Sequence, residues 1–215
     1  MQFPTSGRIL LYGGSFDPPH VAHVKLPALA MRKINAVATA YIPAAQQPLK
    51  PDGAHASASH RLAMLELALQ GLPHTIVLTN EIDRAATSSD GGASYTVDTL
   101  EQLRAEADDQ VELRLLIGVD QLLVFDRWRC WQRILELAEP VVMLRPPQTR
   151  QTLLASLPAG FDRNAWKKRL VDLPLINVSS SDVRRRSARG LPLDGLVPSA
   201  VARYIDRHDL YRAQK

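Results

Sequence analysis

Two histidines three residues apart, His20 and His23, stand at the end of the run Gly13-Gly14-Ser15-Phe16-Asp17-Pro18-Pro19-His20-Val21-Ala22-His23. Residues spaced by three share a face of a helical turn, so both imidazoles can donate hydrogen bonds to the same phosphate group. The run follows the apolar stretch Ile9-Leu10-Leu11-Tyr12 and precedes Val24-Lys25-Leu26 and Ala28-Leu29-Ala30-Met31. That order reads as a buried strand, a glycine turn and a helix start. Glycines let a ligand approach the backbone, and the first helical N–H groups point at it, which makes a natural anion site. Asp17 is expected to orient the turn.

A second group lies far along the chain in Val178-Ser179-Ser180-Ser181-Asp182-Val183-Arg184. Its three hydroxyls open a helix, where they cap N–H groups or bind phosphate. Arg184 returns to nearly the face of Ser181, and a guanidinium there grips a polyphosphate through paired hydrogen bonds. A third group, Ile117-Gly118-Val119-Asp120, ends an apolar run. Gly118 permits a sugar to come close, and the Asp120 carboxylate accepts bonds from ribose hydroxyls.

Apolar runs alternate with helical patterns. Strands are expected at 7–12, 36–42, 75–79, 111–118, 141–144 and 175–178, and helices at about 20–34, 59–70, 96–107, 121–138, 180–189 and 199–208. The segments 44–57 and 85–93 read as mobile loops. This alternation implies an α/β fold, a doubly wound parallel sheet with helices on both faces. Ligands of such sheets bind at the strand C-terminal ends, where Gly13, Gly118 and Ser179 are all expected.

Composition narrows the function. The 215 residues suit one domain, 1–215, with a small helical portion from about 179. No stretch approaches the ~20 apolar residues of a membrane span. Cys130 is the only cysteine, so an internal disulfide is impossible and a thiolate metal cluster is disfavoured. A cytoplasmic protein follows. The net charge of +4 suits either nucleic acid or phosphorylated small molecules. The low aromatic content argues against a single-strand stacking platform. Of the basic clusters, Lys167-Lys168-Arg169 reads as a solvated helix face, whereas Arg184-Arg185-Arg186 with Arg189 adjoins the serine run. No G-x-x-x-x-G-K-[ST], G-x-G-x-x-G, H-E-x-x-H or G-x-S-x-G occurs.

The first run resembles the GG-[ST]-F-D-P-x-H-x-G-H signature of the nucleotidyltransferase superfamily that contains the nicotinate-nucleotide adenylyltransferases. The serine run resembles that family's I-S-[AST]-T-x-[IV]-R, with Val178 and Ser181 at the isoleucine and threonine positions. Ile117 to Asp120 resembles its I-G-x-D, and Leu122, Phe125, Trp128 and Trp131 keep its spacing. Ser94-Tyr95-Thr96-Val97-Asp98-Thr99-Leu100 resembles its S-Y-T-x-[DQ]-T-L. The resemblance covers Gly7 to Arg212. Three departures stand out: Ala22 replaces a glycine, Gln47-Pro48-Leu49-Lys50 replaces P-P-H-[KR], and the loop before Ser94 is longer and lacks a proline.

The resemblance implies a Rossmann-like nucleotidyltransferase fold and adenylyl transfer from ATP to nicotinate mononucleotide, giving nicotinate adenine dinucleotide and pyrophosphate in NAD biosynthesis. His20, His23 and Arg184 are the implied catalytic residues. Gly13, Gly14, Ser15, Phe16, Gly118, Asp120, Ser179, Ser180 and Ser181 are implied to bind ATP. Lys50, Ser94, Tyr95, Thr96, Trp128 and Arg129 are implied to bind the mononucleotide. Among these, the Thr96 and Arg129 N–H groups hold the pyridine carboxylate and Trp128 stacks on the ring. Mg²⁺ is expected on the ATP phosphates rather than on a protein cage. Related transfer to nicotinamide mononucleotide or pantetheine phosphate, and a non-catalytic nucleotide- or nucleic-acid-binding protein, are the alternatives.

Overall fold

The computed structural model describes residues 3–46, 54–87 and 93–212. Its strands are β1 (Gly7–Gly14), β2 (Ala38–Pro43), β3 (Thr75–Val77), β4 (Val111–Gly118), β5 (Glu139–Leu144) and β6 (Leu170–Asp172). Its helices are α1 (Val21–Lys33), α2 (Ala58–Leu69), α3 (Asn80–Thr87), α4 (Thr96–Glu106), α5 (Val119–Leu122), α6 (Trp131–Leu137), α7 (Arg150–Ala155), α8 (Arg163–Lys168), α9 (Ser180–Ala188) and α10 (Ser199–Arg207). A short 3₁₀ turn, Phe125–Arg127, lies between α5 and α6. Among the described residues, no helix is long and apolar enough to cross a membrane.

The strands form one sheet in the order β3-β2-β1-β4-β5-β6. The pairs β1–β4, β4–β5 and β5–β6 are parallel, with Leu11 opposite Leu115 and Gly118 opposite Met143. The strand order reverses between β1 and β4, which is the switch point of a doubly wound sheet. The interior strands are mostly apolar because helices cover both faces of a parallel sheet, although β4 carries Glu112 and Arg114 in its first half. Ile9, Leu10 and Leu11 have no exposed surface, and Val141 to Leu144 are all buried.

Two compact units partition the chain. The first takes residues 1–12, 27–41 and 95–175; the second takes 13–26, 42–94 and 176–215. The first unit packs β4 and β5 against α5 and α6. It carries an aromatic cluster in which Phe125 touches Trp128, Trp131, Phe161 and Trp166. The second unit has its own core of Met64, Ala68, Val183, Val197, Val201 and Ile205. There α2 and α10 pack together, and Val201 and Ile205 recur at the four-residue spacing of a helix face.

Three elements differ from the sequence expectation. The last strand is Leu170–Asp172, not 175–178. Its final ladder bond is Leu173 N–H to Leu144 O, and Pro174 has no N–H with which to extend it. Ser179 therefore follows an irregular extended segment. The expected helix 121–138 is broken into α5, the 3₁₀ turn and α6, with Cys130 in the left-handed region at φ 51°. Leu122, Phe125, Trp128 and Trp131 are spaced by three, which drifts roughly 60° per step around a continuous helix. The breaks let the rings of Trp128 and Trp131 both meet that of Phe125. Residues 80–87, expected as connection, form α3, where the Thr79 hydroxyl donates to the Asp83 carboxylate at 2.6 Å. The expected mobile loops at 44–57 and 85–93 fall partly outside the described residues, at 47–53 and 88–92.

Candidate active site

The glycine turn belongs to the second unit. Gly14 lies tight against the Phe16 ring, which a Cβ there would approach to 3.1 Å and have to displace. Phe16 folds back under the turn with φ 48° and is 1% exposed. Gly13 is different: its φ is ordinary for any residue, and a Cβ would meet nothing within 4 Å. The open space beside its backbone is available to a ligand.

His20 immediately precedes α1, so it ends the turn rather than lying within the helix. The two imidazoles stack face to face, with centroids 3.6 Å apart and planes 14° from parallel. His20 N–H donates to His23 Nδ1 at 3.2 Å. That bond makes Nδ1 an acceptor and puts the neutral ring's proton on Nε2. The Phe16 ring meets His23 edge-on at 5.2 Å. Turn, helix start and aromatic floor therefore fix both rings.

Asp17 is 4% exposed, and its carboxylate is spent on the protein. Oδ2 accepts from His55 N–H at 2.7 Å; Oδ1 accepts from Ala56 N–H at 3.1 Å and from the Tyr211 hydroxyl at 2.7 Å. The His55 imidazole stands 3.5 Å from Oδ2. This bears out the expectation that Asp17 orients the turn.

The serine run meets the same turn. Ser179 caps α9, accepting from Asp182 N–H at 3.1 Å and donating to the Asp182 carboxylate at 2.6 Å. That hydroxyl, followed by Arg185, holds the Asp182 carboxyl below its ordinary pKa. Ser180 donates to Pro18 O at 2.9 Å. Arg184 donates to Asp17 O at 2.7 Å and to the Ser181 hydroxyl at 3.2 Å. Ser180 and Arg184 thus both bond the main chain of the turn that His20 ends, and Ser181 joins it through Arg184. The rest of the basic cluster turns elsewhere: Arg185, Arg186 and Arg189 line a separate open groove of about 470 Å³ with Asn177, Leu191 and Leu196.

Arg61 escaped the sequence reading. Its guanidinium is 1% exposed, and it donates to Ser15 O at 2.8 Å, Ala44 O at 2.6 Å and Ala45 O at 3.2 Å. Burial lowers its pKa while the Asp17 carboxylate pulls the other way. The available signal was periodicity. Arg61, Met64, Leu65 and Ala68 repeat at helical spacing and are all buried, so the arginine sits on an apolar face. Tyr211 was also missed as a contact of Asp17, and no local pattern marks it.

The remaining candidates are placed as follows. Ser94, in the second unit, accepts from Ala45 N–H at 3.1 Å, and its own N–H donates to Gln46 O at 2.9 Å. Lys50 lies outside the described residues. In the first unit, Gly118 caps the start of α5 and Asp120 is exposed in its first turn. A Cβ at Gly118 would meet nothing within 4 Å. Thr96 opens α4, and Tyr95 is the cap residue, without a side-chain bond. Thr96 itself is helical, and its N–H is one of the first-turn donors with no intrahelical acceptor. The Arg129 guanidinium covers the Tyr95 ring at 4.7 Å and lies 3.7 Å from the Asp98 carboxylate. Trp128 tilts against Phe125 at 5.1 Å, and its buried indole N–H has no hydrogen-bond partner. Among the described residues, no cluster of three or more His, Cys, Asp or Glu side chains could hold a metal ion.

Comparison with known proteins supplies an independent measure. Residues 11–186 match the family described as cytidylyltransferase-like. A protein of Bordetella petrii described as a "probable nicotinate-nucleotide adenylyltransferase" is 42% identical, with 95% of this chain and 99% of that protein covered. One of Thermomicrobium roseum with the same description is 40% identical, covering 95% and 92%. The structure of Plasmodium falciparum nicotinic acid mononucleotide adenylyltransferase complexed with NaAD superposes with a TM-score of 0.72 over 95% of this chain and 97% of that one. At 16% identity, that likeness bears on the fold alone.

Proposed function

This chain belongs to the cytidylyltransferase-like family, among the nicotinate-nucleotide adenylyltransferases, and from that premise we propose that it transfers the adenylyl group of ATP to nicotinate mononucleotide, a step of NAD biosynthesis. The observation that carries the chemistry is the convergence of two stacked histidines and a fixed arginine on one glycine turn. The substrate class rests on full-length similarity to the relatives named above.

The mononucleotide's 5′-phosphate is already ionised, so its oxygen needs no general base. It attacks the α-phosphorus of ATP; the new P–O bond forms as the bond to the β-phosphate oxygen breaks. The products are nicotinate adenine dinucleotide and pyrophosphate. Catalysis is then positioning and charge neutralisation. His23, with its proton on Nε2, and His20 beside it donate to the phosphate oxygens. Arg184 holds the leaving pyrophosphate. Gly13 and Gly118, whose missing Cβ atoms face open space, let ATP approach the backbone, with Gly14, Ser15 and Phe16 shaping the turn. Asp120 receives the ribose hydroxyls. Ser179, Ser180 and Ser181 present the start of α9 to phosphate.

On the mononucleotide side, Trp128 stacks on the pyridine ring while the Thr96 and Arg129 N–H groups hold its carboxylate. Ser94, Tyr95 and Lys50 complete that set. An N–H pair selects the acid, because an amide NH₂ meets donors with another donor. A Mg²⁺ ion fits this donor set as a companion of the ATP phosphates, since Asp17 is buried and already accepts three hydrogen bonds from the protein. When bound, it neutralises phosphate charge. The matched family region takes in stretches of both units, and we read residues 1–215 as one nucleotidyltransferase domain working in the cytoplasm.

The test is pyrophosphate release with ATP against a panel of mononucleotides. Release with nicotinate mononucleotide above all others is expected. Release with pantetheine phosphate instead would overturn the substrate, and none with any acceptor would overturn the activity.

A further inference from the structure

The structure assigns Tyr211 a part in the reaction as a positioning residue: through Asp17 it holds the glycine turn against Arg184. This rests on the adenylyl-transfer reading above. Tyr211 is 194 residues from Asp17 in sequence, yet its hydroxyl donates to Oδ1 at 2.7 Å. The same Asp17 presents its main-chain carbonyl to Arg184 at 2.7 Å. One residue therefore links the end of the chain to the guanidinium that faces the leaving group.

The surroundings make the link stiff. Tyr211 adopts φ 64°, a left-handed conformation that a tyrosine keeps only where its contacts require it. Its ring packs against the core of the second unit. The preceding residue is tied down as well, because Ser187 of α9 donates to Leu210 O at 2.9 Å. Burial and the bond to Asp17 push the phenol well above its ordinary pKa, so it stays a donor across the working range. On its far side, Asp17 is held by the N–H groups of His55 and Ala56. With the hydroxyl gone, Oδ1 keeps only the longer bond to Ala56 while Oδ2 keeps that to His55, so the carboxylate is held from one side alone and can shift toward it. The main chain at 17–18 moves with it, carrying the Arg184 and Ser180 contacts.

This role differs from holding the fold together. The hydroxyl adds little to the apolar packing of the ring, so removing it should shift geometry in a variant that still folds. Misplacement of catalytic groups by a fraction of an ångström lowers turnover steeply.

The experiment uses the full chain with Tyr211→Phe, Asp17→Asn and the double variant. Turnover is read by pyrophosphate release, and affinity by calorimetry with α,β-methylene-ATP. Tyr211→Phe is expected to lower kcat about 10-fold or more, the scale of one hydrogen bond to a charged group. Analogue affinity should fall with it, while the thermal midpoint falls by about 3–12 °C, the scale of one buried hydrogen bond to a charged group in a chain this size, with the variant still folded at the assay temperature. The double variant should be no slower than the slower single variant, since both break one link. Wild-type turnover and affinity in Tyr211→Phe would overturn the inference, as would losses that multiply in the double variant. Should Tyr211→Phe not fold, the role is structural and the inference fails. If the wild-type enzyme itself turns over no mononucleotide, the reaction reading fails separately, and analogue affinity in the variant still decides the link.

Discussion

Replacing Arg61 by Met removes three hydrogen bonds from a charged donor while keeping an unbranched apolar stem. The acceptors are the carbonyls of Ser15, Ala44 and Ala45, all served by one guanidinium that is 1% exposed. Hydrogen bonds to charged groups contribute about 1.5–3 kcal/mol each, so the gross loss is about 4.5–9 kcal/mol. Against this stands the desolvation of a buried cation, which costs several kcal/mol and which Met avoids. Asp17 also loses the nearby positive charge that acts on it. The balance resembles the removal of one member of a buried charged group, about 3–5 kcal/mol of destabilisation. For a chain of this size, that lowers the unfolding midpoint by about 6–20 °C. Urea unfolding followed by circular dichroism measures it directly. Arg61→Lys should fall between, because an ammonium keeps the charge but cannot reach three carbonyls as a planar fork does. Stability of Arg61→Met within 1 kcal/mol of wild type would falsify the view that this buried arginine fastens the turn.

Four further outcomes are expected. His20→Ala and His23→Ala should each lower kcat by about 10²-fold or more, the cost of a positioned donor at developing charge; near-normal turnover in both folded variants would remove them from the chemistry. Arg184→Lys should be strongly impaired in steady-state kinetics with varied ATP although its charge is kept, because an ammonium is no fork; wild-type constants would reduce it to a surface charge. Trp128→Ala should weaken acid and amide mononucleotides alike, by the roughly 1–3 kcal/mol of a ring stack, leaving the preference between them; a lost preference would move selection onto the tryptophan itself. Asp182 has a folded pKa below its unfolded one, so its stabilisation is complete above the unfolded value and is lost as pH falls through the lower folded value. Protection from hydrogen exchange in the first turn of α9, taken relative to the intrinsic rate, should therefore fall only below about pH 4, and Asp182→Asn should abolish that dependence; an unchanged profile in the variant would contradict the assignment.

Much of the architecture was legible because its causes are local. The segments 7–12 and 111–118 are rich in Ile, Leu and Val, and both lie in strands as expected, Gly7–Gly14 and Val111–Gly118. The serine run and Arg184 were readable because capping and helical spacing are short-range rules. What sequence hid was long-range. Nothing near Tyr211 announces a partner at Asp17, and Arg61 shows its burial only through the neighbours it shares a face with. The breaks at Val124 and Cys130 depend on where three aromatic rings must pack, which helical propensity does not encode. The last strand lies at 170–172 and not at the expected 175–178, and Pro174, which cannot donate to a ladder, marks where it stops.

The central claim meets its most direct test in one vessel. The enzyme is given Mg²⁺, ATP and equal amounts of nicotinate and nicotinamide mononucleotide, and the two dinucleotides are separated and counted at early times. The ratio of products is the ratio of kcat/KM. A charge-assisted contact of about 1.5–3 kcal/mol predicts an excess of the acid dinucleotide of roughly 10- to 100-fold. Equal amounts, or an excess of the amide product, would contradict it.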